Sequence, residues 1–312
     1  MHVMVTDFGV RQRALARRLA GTGLEVGIAV PGELATVVPA QAIPAGAVAA
    51  DASGPSCVLA EASPGVTPRS GLTVVEVFPG DDPSRLRQFT EDRPGSPLLL
   101  VARVPVPELA QVEDLGITVM FPGFEERPPG GASERSCRPL ALPCTVVGPL
   151  VGRPRDLDRW IAGVLLEAGI SASCRPDMQS WLTVTSAWLS PLRGALLAAA
   201  QQRLALSATP DLITVATRAA RQRLSLLRSC GFDLDARCAC LVALPEWWAI
   251  KAMGGIAGSV PRDGDPWWLP TADEAMAVGR NLSILARELG IRTPAADFLD
   301  IFSEEAGRER RI

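Results

Sequence analysis

Residues 2–30 read HVMVTDFGVRQRALARRLAGTGLEVGIAV and carry the clearest folding pattern of the chain. A short apolar run over His2 to Val5 predicts a strand, the helical spacing of apolar residues over Val10 to Ala20 predicts a helix, and Leu24 to Val30 predicts a second strand. Since these elements in this order form a βαβ unit, we expect the two strands to be parallel neighbours in one sheet.

The alternation of strands and helices continues to about residue 148. Short apolar runs of this kind are typical of buried parallel strands. They occur at Cys57 to Ala60, Leu72 to Val77, Pro97 to Val101, Ile117 to Met120 and Cys144 to Val147, with helices predicted over Pro83 to Glu91 and Pro107 to Asp114. We therefore expect residues 1–150 to form a Rossmann-like domain with a doubly wound parallel sheet.

The second half of the chain, residues 151–312, has long helical patterns instead. They cover Arg155 to Ala168, Asp177 to Leu204, Asp211 to Arg228 and Asp273 to Leu289, with a short one near Ala295 to Ser303. A chain of 312 residues is long enough for two domains that each bury a core. The predicted fold class is α/β, a Rossmann-like sheet domain followed by an all-helical C-terminal domain.

Composition excludes several classes of function. The net charge is −3 with acidic and basic residues interspersed, which disfavours nucleic acid as a partner. The longest apolar run is shorter than the roughly 20 residues of a membrane span. Seven cysteines without metal-ligand spacing predict a reduced cytoplasmic protein with no metal site. The sequence has no tyrosine, one histidine, His2, and one lysine, Lys251, so the usual proton-transfer groups are scarce.

Four motifs follow one another in the second half of the chain, and their order is informative about the fold. They are Val147-Gly148-Pro149 with Ala168-Gly169-Ile170, Trp181 followed by Ser190-Pro191-Leu192, the acidic pair Asp273-Glu274, and Glu288-Leu289-Gly290-Ile291-Arg292-Thr293-Pro294. In this order they resemble the helical domain of the ketopantoate reductases. Together with the opening βαβ unit, the likeness spans most of the chain and implies the two-domain fold of that family.

The turn after the first strand departs from the family. A dinucleotide fold normally has Gly-x-Gly-x-x-Gly there, because side chains would hold the pyrophosphate away from the backbone N–H groups. Here the turn reads Asp7-Phe8-Gly9-Val10-Arg11-Gln12, in which only Gly9 survives. We therefore expect no cofactor. The alternative is NADH or NADPH bound by Gly9, Arg11, Gln12 and Glu33, where Glu33 could accept a ribose hydroxyl and favour NADH.

The family's catalytic positions are also changed. The resemblance places the family's lysine at Leu182 and its two asparagines at Ser186 and Ser190, and places the carboxylate that contacts substrate hydroxyls at Glu274. We predict Glu274, Ser186 and Ser190 as catalytic residues, with Glu274 acting as a general acid or base or holding a ligand hydroxyl. The alternatives are a simple helix cap for Glu274 and hydrogen bonds from the serines to helix carbonyls.

The sequence contains seven tryptophans and eight phenylalanines, and it has no tyrosine. Indoles can line an apolar pocket and orient a polar ligand group through N–H. The predicted substrate-binding residues are Trp181, Thr185, Trp188, Arg262, Trp267 and Trp268. Ordinary core packing is the alternative for the tryptophans, and it is the preferred interpretation for Trp160, Trp247 and Trp248. The alternatives are a turn with solvated charges for Arg262 and a hydrogen bond to a helix carbonyl for Thr185.

Three functional hypotheses follow from the sequence, and the altered cofactor and catalytic motifs favour the first of them. The leading one is a non-redox enzyme of bacterial specialised metabolism, which cyclises, isomerises or dehydrates a small, apolar, polyketide-like substrate in an interdomain, Trp-lined cleft. The alternative is a divergent NAD(P)H-dependent reductase of the ketopantoate reductase type. The third is a non-catalytic ligand-binding protein. No membrane partner is expected, and a homodimer is the assembly considered.

Overall fold

The computed structural model describes residues 2–6, 15–16, 19, 25–29, 72–92, 97–123, 145–168, 170, 172–260 and 266–309. Five predicted site residues, Gly9, Arg11, Gln12, Glu33 and Arg262, and the predicted strand Cys57 to Ala60 lie outside these ranges. The described residues up to 102, 106–122 and 145–178 form one compact unit, and residues 103–105 and 179–309, with Gly123, form a second. We call these the sheet unit and the helical unit.

The sheet unit is built on a seven-stranded sheet in the order β2-β1-β3-β4-β5-β6-β7. The strands are β1 (His2–Thr6), β2 (Glu25–Ala29), β3 (Leu72–Glu76), β4 (Leu98–Val101), β5 (Thr118–Phe121), β6 (Thr145–Pro149) and β7 (Ala172–Cys174), with helices α1 (Ser84–Asp92) and α2 (Asp156–Glu167) and a 3-10 segment (Pro107–Leu115). Every residue of β3 to β6 is buried, as expected for a sheet covered on both faces. The Rossmann-like fold class is confirmed.

Two details of the sheet differ from the prediction. The strands β5 and β6 pair antiparallel, with Met120 opposite Val147, so the sheet is mixed and not wholly parallel. A short buried apolar run fits either direction, so its sequence does not encode the choice. The strand β7 was missed, and it pairs in parallel with β6 inside the part of the chain predicted to be all-helical. Its three residues are half-buried and too few to show a period of two.

A buried carboxylate joins α2 to β5. Asp158 has a fully buried side chain, and it accepts hydrogen bonds from Thr118 Oγ1 at 2.6 Å and from the backbone N–H of Arg155 at 2.7 Å. The Arg155 guanidinium also donates to Asp158 and to the carbonyl of Ile117. Burial alone would raise the pKa of Asp158, but the hydrogen bonds from Arg155 and Thr118 together outweigh it and lower the pKa.

The lowered pKa predicts that the sheet unit loses stability in acid. Since the unfolded carboxyl titrates near pH ~3.9, the stabilisation is fully present above that pH and is lost as the pH falls through the lower folded pKa. Urea unfolding at a series of pH values should show this loss for the native protein and not for Asp158→Asn. The matched control is Asp156→Asn, since Asp156 is in the same helical turn but fully exposed. Equal acid sensitivity of the two variants would contradict the assignment.

The helical unit consists of α3 (Met178–Gln201), α4 (Pro210–Ser229), α5 (Ala236–Ala243), α6 (Glu246–Ala257), α7 (Ala272–Glu288) and α8 (Pro294–Glu309). The helix α4 packs against α5, α6 and α8, and α8 also packs against α7. The sequence analysis missed α5 and α6 and made α8 too short. None of the described helices is long and apolar enough to cross a bilayer.

The helix α8 approaches its neighbours at glycines. A Cβ added at Gly194 of α3 would lie 2.7 Å from the carbonyl oxygen of Leu299, and one at Gly279 of α7 would lie 2.7 Å from the carboxylate of Asp300. Both contacts are shorter than carbon atoms allow, so these helices can pack this closely only without a side chain. The contact at Gly279 leaves the Asp300 carboxylate in the interior of the helix packing.

Three tryptophans assigned to the core are on the surface. Trp160 is 40% exposed, Trp247 61% and Trp248 39%. The core prediction for them is therefore wrong. Trp247 and Trp248 are neighbours at the start of α6, where the turn of the helix carries both rings away from the buried side that Ala249 and Met253 occupy.

Candidate active site

The strand order creates a ligand-binding position at β1. The chain runs from β1 to β2 on one side and then to β3 on the other side of β1, so the winding direction reverses between β1 and β3. In open α/β sheets, ligands bind outside the carboxyl ends of the strands at such a switch point. Leu15, Ala16 and Leu19, which follow β1, are helical and buried. The strand order therefore retains the switch point, and the turn residues 7–14 lie outside the described part of the chain.

Glu274 lies at the start of α7 and is buried against an arginine. Its side chain is 1% exposed and that of Arg103 is 3% exposed. The Nε–H of Arg103 donates to Glu274 Oε2 at 2.9 Å and to Oε1 at 3.1 Å. A buried ion pair of this kind places two compensating charges in a medium of low dielectric, where each strongly depends on the other.

Glu274 is also the third residue of a capping box. The backbone N–H of Thr271 donates to Glu274 Oε2 at 2.7 Å, and the N–H of Glu274 donates to Thr271 Oγ1 at 3.3 Å. The positive end of the helix dipole further favours a negative charge here. The helix-cap alternative and the functional one are thus compatible. Among the described residues Oε2 accepts two hydrogen bonds and Oε1 accepts one, which leaves Oε1 able to accept another.

Arg103 was not predicted, although the sequence contains a signal for it. It follows the buried strand β4 and is the only charged residue in the apolar run Leu98-Leu99-Leu100-Val101-Ala102-Arg103-Val104. A lone charge inside such a run is rarely buried without a partner. The partner, however, is 171 positions away in the chain, and no local pattern connects the two.

Trp267 and Trp268 stand just before Glu274 in a buried turn. The turn is closed by the N–H of Leu269, which donates to the carbonyl of Pro266 at 3.0 Å. Trp267 is 6% exposed and Trp268 is fully buried. The indole N–H of Trp268 has no hydrogen-bond acceptor within the described residues. A buried donor without an acceptor is costly, so this N–H is a candidate to orient an oxygen of a bound ligand.

The predicted residues of α3 have other contacts. Ser186 Oγ donates to the carbonyl of Thr183 at 3.2 Å, and Ser190 Oγ donates to the carbonyl of Ser186 at 2.8 Å, as anticipated for hydroxyls within a helix. Thr185 and Trp188 are buried and Trp181 is half-buried. Leu182, the position of the family's lysine, is fully buried. Within the described residues no hydrogen bond joins Ser186 or Ser190 to Glu274.

Ser190 instead belongs to a second buried network, which the sequence analysis missed. Arg223 of α4 is 1% exposed, and its Nη1 donates to Ser190 Oγ at 2.6 Å. Its Nη2 donates to both carboxylate oxygens of Asp300, at 2.5 and 2.6 Å. Burial raises the pKa of Asp300, and the charge of Arg223 opposes that rise. An arginine in the apolar stripe of α4, between Ala219 and Leu227, was the available signal.

Solved structures of oxidoreductases share this fold. The 2-dehydropantoate 2-reductase of Methylococcus capsulatus has a TM-score of 0.56 at 14% identity, over 99% of this chain and 97% of its own. The dimeric ketopantoate reductase of Staphylococcus aureus has 0.57 at 12% identity, over 99% of both chains. D-mandelate dehydrogenase with NADH and anilino(oxo)acetate has 0.58 at 10% identity, over 100% of both. No protein-family model and no curated protein matches the sequence.

The prediction of a non-redox cyclase, isomerase or lyase is wrong. The structures that share the fold along the whole chain are reductases and a dehydrogenase, one of them with NADH. The prediction treated the altered turn after β1 as the loss of redox chemistry, whereas the switch point depends on strand order and is retained. The resemblance drawn from the motifs is confirmed, and the chain has the fold of the ketopantoate reductases, a Rossmann-like sheet domain followed by a helical C-terminal domain.

Proposed function

We propose that this protein is an NADH- or NADPH-dependent oxidoreductase that reduces a small carbonyl compound. The observation that carries the proposal is the switch point between β1 and β3, the position where open α/β sheets bind ligands. The full-length likeness to reductases and to a dehydrogenase holding NADH supports the same function. Gly9, Arg11, Gln12 and Glu33 are the proposed nucleotide-binding residues, and Glu33 favours NADH because a carboxylate repels a 2′-phosphate.

We assign the substrate to the residues around Glu274. The spare acceptor capacity of Glu274 Oε1 suits a substrate hydroxyl, and Arg103 holds the carboxylate in place. The buried indoles of Trp267 and Trp268 suit an apolar substrate group, and the N–H of Trp268 suits an oxygen. Thr185, Trp181, Trp188 and Arg262 remain proposed substrate contacts. A 2-oxo acid that carries a hydroxyl group and an apolar side chain combines these features.

The proton in this reaction needs a source. A bound nicotinamide would supply a hydride to the carbonyl carbon of the substrate, and the substrate oxygen would then need one proton. Tyrosine is absent, and the chain has one histidine and one lysine, Lys251, which is exposed on α6. Both oxygens of Glu274 already accept hydrogen bonds, and we assign this carboxylate to hold the substrate. We therefore propose that water delivers the proton.

The proposed assembly is a homodimer in the cytoplasm. The Staphylococcus aureus reductase with this fold is described as dimeric. We propose a cytoplasmic location because the seven cysteines show no pattern typical of disulfide-bonded proteins. This location also suits an enzyme that uses a nicotinamide nucleotide.

A coupled set of activity measurements tests the proposal. Purified protein is incubated with NADH or NADPH and a panel of 2-oxo acids, ketones and aldehydes, and nucleotide absorbance is followed. We expect oxidation of NADH with at least one 2-oxo acid, and a kcat/KM about 10- to 100-fold lower for Glu274→Gln, since a charged hydrogen bond is lost. Glu288→Gln, an exposed change on the same helix, should have no effect. Failure of every carbonyl compound with both nucleotides would refute the proposed function.

A further inference from the structure

The start of α6 exposes two adjacent tryptophans. Trp247 and Trp248 are 61% and 39% exposed, and their rings stack with centroids 4.7 Å apart. Together they expose about as much area as one whole tryptophan, roughly 150–250 Å². The opposite side of α6, with Ala249, Met253 and Ile256, is buried and packs against α4. The indoles therefore form a separate surface that the core does not use.

This surface is nearly free of uncompensated charge. Residues 243–248 are exposed or half-exposed, and Glu246 is the only charged residue among them. Arg218 of α4 neutralises Glu246 through an ion pair of 2.5 Å, and the ammonium of Lys251 lies 5.6 Å from the centre of the Trp248 ring. Depletion of net charge around exposed aromatic residues is the composition found at the centre of protein–protein interfaces.

The same helix offers a shape complementary to the indoles. Gly255 lies seven residues after Trp248, on the same face of α6 and roughly 10 Å further along the axis. It is exposed, and a Cβ added there would meet no atom of the described residues within 4 Å. Trp248 is exposed at one end of the helix, and the surface at Gly255, which has no side chain, is open towards the other end. Two such helices laid antiparallel would place each indole over the glycine of the other.

We propose that α6 is the centre of a homodimer interface, in which Trp248 of each copy packs over Gly255 of the other. A surface that carries both the exposed indole and the open glycine is self-complementary, as a two-fold symmetric interface requires. A standard interface buries about 800 Å² per partner, so the indoles would supply roughly a quarter of it and other surface residues of the helical unit would supply the rest. The inference rests on the homodimer in the proposed function and adds its surface.

Sedimentation velocity at micromolar to ~100 μM protein tests this interface. We expect a dimer for the native chain and a monomer for Trp247→Ser/Trp248→Ser. Gly255→Arg should also give a monomer, and because the site is open the variant should keep its native circular dichroism. The matched control is Phe298→Ser/Ile301→Ser on α8, where the side chains are 45% and 52% exposed. This control should remain dimeric.

Three results would overturn the interface: a monomeric native protein, a dimer that persists in both α6 variants, or loss of the dimer in the α8 control. The assay of nucleotide oxidation separates this failure from failure of the proposed function. A native monomer that oxidises NADH would remove only the interface, whereas a dimer through α6 with no oxidation would remove only the reductase.

Discussion

Replacing Arg103 with methionine is expected to lower the free energy of unfolding by about 3–5 kcal/mol. The substitution leaves the carboxylate of Glu274, which is 1% exposed, without its charged partner. Removing one member of a buried pair costs this much because the remaining charge is desolvated and uncompensated. Urea unfolding followed by circular dichroism measures the loss.

Two further variants establish that the loss comes from charge and not from packing. Arg103→Met/Glu274→Gln removes both charges, and its glutamine can still accept from the N–H of Thr271, so we expect it to be more stable than Arg103→Met alone. Arg87→Met breaks an exposed pair with Asp114, which solvent screens, and should cost far less stability than Arg103→Met. A loss for Arg103→Met no greater than that of Arg87→Met would show that the pair is not buried as described.

Replacing Arg223 with methionine is expected to cost a similar amount, about 3–5 kcal/mol at neutral pH. The substitution removes the hydrogen bonds to Ser190 and to both oxygens of Asp300. It leaves the Asp300 carboxylate between α4 and Gly279 of α7, where no other cation of the described residues forms an ion pair with it. Arg218→Met on the same helix is the control, since that side chain is 57% exposed.

The Arg223 variant should also have a characteristic pH dependence. Burial already raises the pKa of Asp300, and loss of Arg223 removes the charge that opposes the rise. A carboxyl with a raised folded pKa binds its proton more tightly in the folded state, so the penalty grows as the pH rises above the unfolded pKa of ~3.9. Arg223→Met/Asp300→Asn should lack this dependence. A penalty for Arg223→Met that is constant from pH 4 to 8 would contradict this explanation.

The fold could be predicted from the sequence because two signals are readable there. The local spacing of apolar residues predicts each helix and strand, and the order of the motifs indicates how these elements are combined. The strands β3 to β6 and the helices α2, α3, α4 and α7 follow from apolar runs and 3.6-residue spacing. The direction of β6 and the three-residue strand β7 depend on pairing with distant residues, which no local pattern records. The helix α6 was missed because exposed tryptophans blur the contrast between its two faces.

Only part of the candidate site could be predicted from the sequence. Glu274 followed from the resemblance, but its partner Arg103 is far away in the chain, and Ser190 proved to belong with Arg223 and Asp300. The functional prediction erred for a related reason. It weighed the side chains of one turn, whereas the position at which open α/β sheets bind ligands is set by the order of strands in the sheet.

Nucleotide binding itself is therefore the decisive property to measure. Titration of the purified protein with NADH and with NADPH, followed through tryptophan fluorescence, should give saturable binding with a dissociation constant below about 1 mM. NADH should bind more tightly than NADPH, and Glu33→Arg should reverse that order while Glu167→Arg, an exposed control, should not. No saturable change with either nucleotide would contradict the assignment of this protein as a nicotinamide-dependent oxidoreductase.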